Sequence, residues 1–261
     1  MTPRSVLALI TIVFGLALAG PPASAADWRE HGPQALVMTY RVAPAARTGF
    51  KTAVRAATLP RLESLRTSGA LTAYHVLANR YVDTASWDLM VILEFRSSKD
   101  LAAWRAVEAA APAGLSPGAL TLVSQVETAP GDVMRAKPAA SHPGDPAPVW
   151  LVVPYNYLTS TDDYLTYVDG YLLPQVDGWI QEGALSAYDI FLPRYPAGRV
   201  WSSLLMLAYR GDEGLARRDI VVKSVRARLA ATNSDWKAFA DNKARIRTEM
   251  QPVVADELTP P

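Results

Sequence analysis

The chain contains no cysteine in its 261 residues. That excludes disulfides, a thiolate nucleophile, a lipid-acylated cysteine and any cysteine-ligated zinc or iron–sulfur centre. Histidine is nearly as scarce, with three in all: His31 precedes the first element and His142 falls in a proline-rich stretch, which leaves His75 and no multi-histidine metal site within either half. Neither a metal nor a cofactor is expected. Charge of one sign is lacking too: 26 basic residues stand against 25 acidic ones, for a net charge of +1. Nothing in that balance recruits nucleic acid. After the N-terminus no apolar stretch is long enough to cross a bilayer.

The first 25 residues have the form of a secretory signal. Arg4 supplies the positive start, Val6 to Ala19 the apolar run, and Ala23-Ser24-Ala25 a small-residue cleavage site. The apolar run is shorter than the roughly 20 residues a membrane helix needs, which favours cleavage over an N-terminal anchor. The expected location is periplasmic or secreted.

The strongest signal present is internal. The stretch Gly69–Arg96 recurs 114 residues later as Gly183–Arg210, with Tyr74, Arg80, Tyr81, Trp87 and Arg96 each meeting an identical residue. Periodicity assigns elements to each copy. Ala35–Val42 alternates as a strand. A helix follows from Pro44, interrupted by Pro60 and stopped by Gly69. Leu71–Tyr81 and Trp87–Phe95 form a hairpin, Ser97 or Ser98 opens a second helix, and Leu120–Thr128 is a fourth strand. The second copy begins with a strand at Trp150–Tyr157, and a helix follows from Ser160, interrupted at Pro174. It ends in two helices, Leu215–Ala231 and Asp235–Met250, and a strand at Pro252–Leu258. The expected fold is α+β: a signal peptide (1–25), a first ferredoxin-like β-α-β-β-α-β repeat (26–135), a proline-rich linker (136–148, with linker-like composition from Ala129), and a second repeat with extended C-terminal helices (149–261).

Two such units, each with a leucine-proline pair in the first helix and a glycine leading into the second strand (Leu59-Pro60 to Gly69, Leu173-Pro174 to Gly183), resemble the dimeric α/β-barrel superfamily. That superfamily includes antibiotic biosynthesis monooxygenase-like, EthD-like and NIPSNAP-like domains. The resemblance implies that the two repeats pair within the chain as a pseudo-dimer. Haem-binding relatives carry an axial histidine on a domain helix, and no residue here matches it.

The expected hairpin register sets Tyr81 against Trp87, Arg80 against Asp88 and Tyr74 against Glu94. The apolar side led by Trp87 then meets the helices, and the mixed side becomes the barrel interior. Candidate ligand-binding residues are Arg41, Tyr74, Glu94, Tyr188, Asn156, Arg80 and Arg194; candidate catalytic residues are Glu94 and His75. His75 faces the helices in this register and turns inward if the register slips by one. The copies disagree at Glu94, matched by Ala208, and at His75, matched by Asp189. The leading expectation is an exported protein that binds a small, partly apolar or aromatic ligand between its repeats. The alternatives are a cofactor-independent monooxygenase-like enzyme acting on aromatic or quinol-type substrates, and a structural or interaction module of the cell envelope. The basic C-terminal helices suggest weak contact with an anionic membrane surface. The sequence does not define the oligomeric state.

Overall fold

The computed structural model describes residues 34–97, 99–139 and 144–259. The signal segment, His31 and His142 lie outside them.

Strand β1 (Ala35–Val42) leads into helix α1 (Arg47–Ala53), a π-helical turn (Val54–Thr58) and α2 (Leu59–Thr67). Pro60 therefore neither breaks the run nor separates two abutting helices. A proline has no N–H to donate and its ring crowds the carbonyl four residues back, and the wider π turn just before it relieves that conflict. The same succession recurs 114 residues on as a helix (Thr161–Tyr167), a π turn (Val168–Leu172) and a second helix (Leu173–Gln181), with Pro174 in the place of Pro60. Gly69 and Gly183 end these helices at φ of +79° and +75°, a conformation that costs glycine nothing.

The remaining elements follow as β2 (Ala73–Asn79), β3 (Leu89–Glu94), α3 (Leu101–Ala110), α4 (Pro117–Leu120) and β4 (Val123–Lys137). The second half comprises β5 (Val149–Tyr157), α5 (Thr161–Tyr167), α6 (Leu173–Gln181), β6 (Leu185–Pro193), β7 (Ser203–Tyr209), α7 (Gly211–Ala216), α8 (Arg218–Thr232), α9 (Ser234–Ile246), β8 (Arg247–Glu249) and β9 (Val253–Glu257).

All pairings are antiparallel, in the order β7-β6-β4-β1-β3-β2-β9-β5-β8, and an additional β7–β5 pairing closes the ring. Two strands join the halves. β4 runs beside β1 and then, from Gly131 to Lys137, beside β6. β9 sits between β2 and β5.

Ala129–Lys137, expected to be linker, is thus strand. Its proline and glycine misled the compositional reading because they sit where β4 changes neighbours. Pro130 contributes only its carbonyl there, to Arg194 N. A Cβ on Gly131 would lie 2.6 Å from the carbonyl oxygen of Leu192.

Alternation sorts the strands' side chains into three cores. Leu89, Val91 and Leu93 face the helices of the first half, as expected. Leu151, Val153 and Tyr155 face those of the second. Val37, Met90, Ile92, Val152, Phe191 and Met206 fill the middle of the closed sheet.

Candidate functional site

The hairpin register decides what enters the interior. β2 and β3 pair with Tyr74 against Leu93 and His75 against Ile92, one residue away from the expected register. The turn of this hairpin is tied by the buried Asn79 side chain, which donates to Trp87 O and accepts from Tyr81 N, each at 3.0 Å. A slip of one exchanges the two faces of a strand. His75 therefore turns inward, while Tyr74 turns to the helices and donates to Glu63 at 3.1 Å. β6 and β7 carry the same register, with Tyr188 against Leu207, and Tyr188 packs in the helix-facing core. Neither tyrosine lines the interior, contrary to expectation.

Arg80 and Arg194 are also placed differently. Arg194 pairs with the buried Asp132 at 2.8 Å, and Arg80 pairs with Asp256 at 2.6 Å and with Asp212. Each ties a β4 or β9 residue to the other half. Both hold the seams between the halves, away from the ring's interior.

Glu94 and Arg41 both face inward, but at opposite ends of the ring. Glu94 is level with Ala35 at one end of β1, whereas Arg41 lies at the other, six residues or about 20 Å away. The interior between them is packed, so two mouths result.

The first mouth holds a cavity of about 140 Å³. Trp87, Trp201, Met90 and Leu204 supply apolar walls, and Thr39, Arg41, Gln125, Glu127 and Gln251 supply polar atoms. Trp87, expected to meet the helices, belongs here because it precedes β3 and follows the loop instead of the pleat. Arg41 donates to the carbonyls of Thr84 at 3.1 Å and Ala85 at 3.2 Å, holding one loop at the rim. Asn156 does the same for the other loop through Val200 O at 3.0 Å and also reaches Met250 Sδ at 3.3 Å.

The second mouth gathers ionisable groups. His75 Nδ1 donates to Glu257 Oε1 at 2.8 Å, and Trp150 Nε1 donates to Glu257 Oε2 at 3.0 Å. The His75 ring meets Trp150 edge-on, with centroids 4.8 Å apart. Glu94 and Asp189 lie within electrostatic reach. Burial alone would lower the His75 pKa, but the hydrogen bond and charge of Glu257, with Asp189 and Glu94, raise it above its ordinary value. Burial lifts Glu94, against the pull of His75. Burial and the neighbouring Glu94 push Asp189 up to about 6. At 22% and 24% side-chain exposure, His75 and Glu257 remain open to solvent. The group can therefore hold and release protons near neutrality. Among the described residues no cluster has the geometry to hold a metal ion.

Sequence reasoning identified His75, Glu94 and the disagreement at Asp189. It missed Glu257 on β9 and Trp150 on β5, which reach His75 from the other half, and it gave Trp87 the wrong face. The recurrence of Trp87 as Trp201 was the available signal for the first mouth.

No family model matches the chain, and no curated protein does. Solved structures do. A candidate monooxygenase of Lactobacillus acidophilus NCFM aligns over 87% of this chain and 94% of its own at 9% identity and a TM-score of 0.54. A candidate monooxygenase of Fusobacterium nucleatum subsp. nucleatum covers 88% and 94% at 12% identity and 0.54. An anthrone oxidase-like protein covers 88% and 92% at 12% identity and 0.53. At these identities the likeness is one of fold: the chain is an α+β protein built on a large antiparallel sheet, with dimeric α+β-barrel proteins of ferredoxin-like type as its neighbours.

Proposed function

We infer that this is an exported binder of a small ligand bearing one aromatic or similarly apolar ring, held in the mouth between Trp87 and Trp201 of a barrel whose two halves are related like the subunits of a dimer. The carrying observation is the cavity itself. Its volume of about 140 Å³ is close to the roughly 150 Å³ that accommodates benzene in an engineered protein cavity. Apolar walls with a few convergent polar groups are the usual make-up of a small-molecule site. Isothermal titration with simple phenols and hydroxybenzoates is expected to show saturable one-to-one binding. Leu204→Phe, which fills the cavity without removing a polar group, is expected to weaken it at least tenfold. Binding that is unchanged in Leu204→Phe, or no binding to any such ring, overturns the reading.

The charged mouth favours a second reading, a monooxygenase-like enzyme without cofactor. Here His75, once neutral, takes the hydroxyl proton of a quinol-type substrate, and the substrate itself supplies electrons to dioxygen. Glu257 orients the imidazole. Because the His75 pKa is raised, its basic form appears only above its ordinary value of 6.5, so activity should climb with pH through that range. Oxygen uptake with hydroquinones, abolished in His75→Gln and untouched in Leu204→Phe, is the expected pattern. Equal turnover in His75→Gln and the parent excludes this role.

A further inference from the structure

Away from both mouths, a groove of about 410 Å³ runs between α8, α9 and β8, lined by Arg218, Arg226, Lys243, Arg247, Thr248 and Glu249. The basic character of these helices is visible in the sequence; what the fold adds is convergence. Arg218 and Arg226 stand two helical turns apart on one side of α8, flanking the buried Val222. Lys243 comes from the last turn of α9, and Arg247 opens β8.

Two of the four cations are held rigidly. Arg247 lies 3.8 Å over the Tyr155 ring, donates Nε to Tyr167 Oη at 2.9 Å and reaches Glu249 at 3.3 Å. Arg226 donates Nε to Gln175 Oε1 at 2.7 Å, and Gln175 is itself fully buried and bonded to Tyr171 O at 2.8 Å. This leaves the terminal nitrogens of Arg226 without a bond among the described residues. Arg218 pairs with Asp219 through Nη1, while its Nε is buried without a hydrogen bond. Carboxylates thus offset Arg218 and Arg247, whereas among the described residues Arg226 and Lys243 have no acidic partner.

We propose that this groove is a binding site for a phosphate monoester or inorganic phosphate, with Arg226 and Lys243 as the principal contacts and Thr248 at the rim. Two uncompensated cations match the charge of about −1.5 to −2 that a phosphomonoester carries at neutral pH. A planar guanidinium that is already oriented loses little entropy on binding and offers a fork to two phosphate oxygens. A solvated basic face would not need the anchoring by Gln175 and Tyr155. The groove is larger than a phosphate ion, so the rest of a phosphorylated molecule or a lipid headgroup fits beside it.

The test uses the full mature chain at low salt. Titration calorimetry with inorganic phosphate is expected to show saturable binding that chloride at the same ionic strength does not reproduce. Arg226→Gln and Lys243→Gln, both on solvent-accessible positions, are each expected to weaken it at least tenfold. Lys51→Gln, far along the chain on α1, and Leu204→Phe in the aromatic mouth should leave it unchanged. Sedimentation with vesicles containing phosphatidic acid, whose headgroup is a phosphomonoester, identifies the source. Vesicle binding lost in Arg226→Gln assigns a lipid headgroup, and phosphate binding without vesicle binding assigns a soluble phosphate ester. The proposal is overturned if phosphate does not bind, or if it binds equally well to Arg226→Gln and Lys243→Gln.

Discussion

Arg194→Met is expected to lower the unfolding free energy by roughly 3–5 kcal/mol at pH 8, the usual cost of stripping one partner from a buried ion pair. Asp132 is 1% exposed and Arg194 10%, so almost no water is available to solvate the carboxylate when the guanidinium is gone. The two hydrogen bonds it gives Asp132, at 2.8 and 3.2 Å, disappear, leaving Asp132 with Gln34 N at 3.3 Å. Burial already raises the Asp132 pKa, and Arg194 is the chief influence pulling it back. Without Arg194 the folded-state value rises further above the unfolded one. Such a group favours folding below its unfolded pKa and loses that benefit as pH rises through the folded value. The deficit of Arg194→Met should therefore shrink on acidification, and pairing it with Asp132→Leu should recover most of the loss. The corresponding bridge at the other seam makes the control. Arg80 is 24% exposed and Asp256 50%, so Asp256→Ala should cost less than about 1 kcal/mol. Urea titrations of the variants decide the matter, and a deficit below about 1 kcal/mol for Arg194→Met at pH 8 would mean that the seam is not held by this pair.

Asp189→Asn is expected to stabilise the protein at pH 7.5 by roughly 1–3 kcal/mol. The upper figure comes from a folded-state pKa of about 6 against an ordinary 3.8, at about 1.4 kcal/mol per unit. Partial exposure of the side chain argues for a lower value. The sign follows from linkage: an aspartate with a raised pKa supports folding below about 3.8 and works against it as pH climbs through about 6. The gain should thus be present at pH 7.5 and absent near pH 4. His75 supplies a second readout, because Asp189 is one of the charges that keep it protonated. In Asp189→Asn its NMR titration should move towards lower pH. If stability at pH 7.5 does not change and the His75 titration stays in place, Asp189 is solvated and the charged mouth does not act as one group. A carboxylate retained at a cost to folding is also what a working proton-transfer site would carry.

Much of this architecture was legible from local signals. Strand-like runs located β1, β2, β3 and β5, the internal repeat implied β6 and β7, and Gly69 and Gly183 marked helix ends because few other residues tolerate a left-handed backbone. Pro60 and Pro174 announced irregular helices, although not that the irregularity would be a π turn. The site was legible only in part. His75, Glu94 and Asp189 stood out as positions where the two copies differ, and the structure brings these three together at one mouth. Arg41, Tyr74, Tyr188, Arg80 and Arg194 were drawn into one interior, whereas the chain divides them among one mouth, two helix-facing cores and two seams.

By itself the sequence determined most of the inventory: which stretches become strands and helices, the end of β4 and all of β8 excepted, and which positions break the likeness between the halves. Those are properties of neighbouring residues, set by backbone freedom and side-chain period. Tertiary structure decided the rest. The hairpin closes one residue away from the expected register, and because successive strand residues point to opposite faces, that difference places His75 rather than Tyr74 in the interior. β9 entered between β2 and β5, bringing Glu257 to His75 across 182 positions of sequence. No local periodicity encodes such a partner, because it depends on which distant edge a strand finds to satisfy its backbone hydrogen bonds.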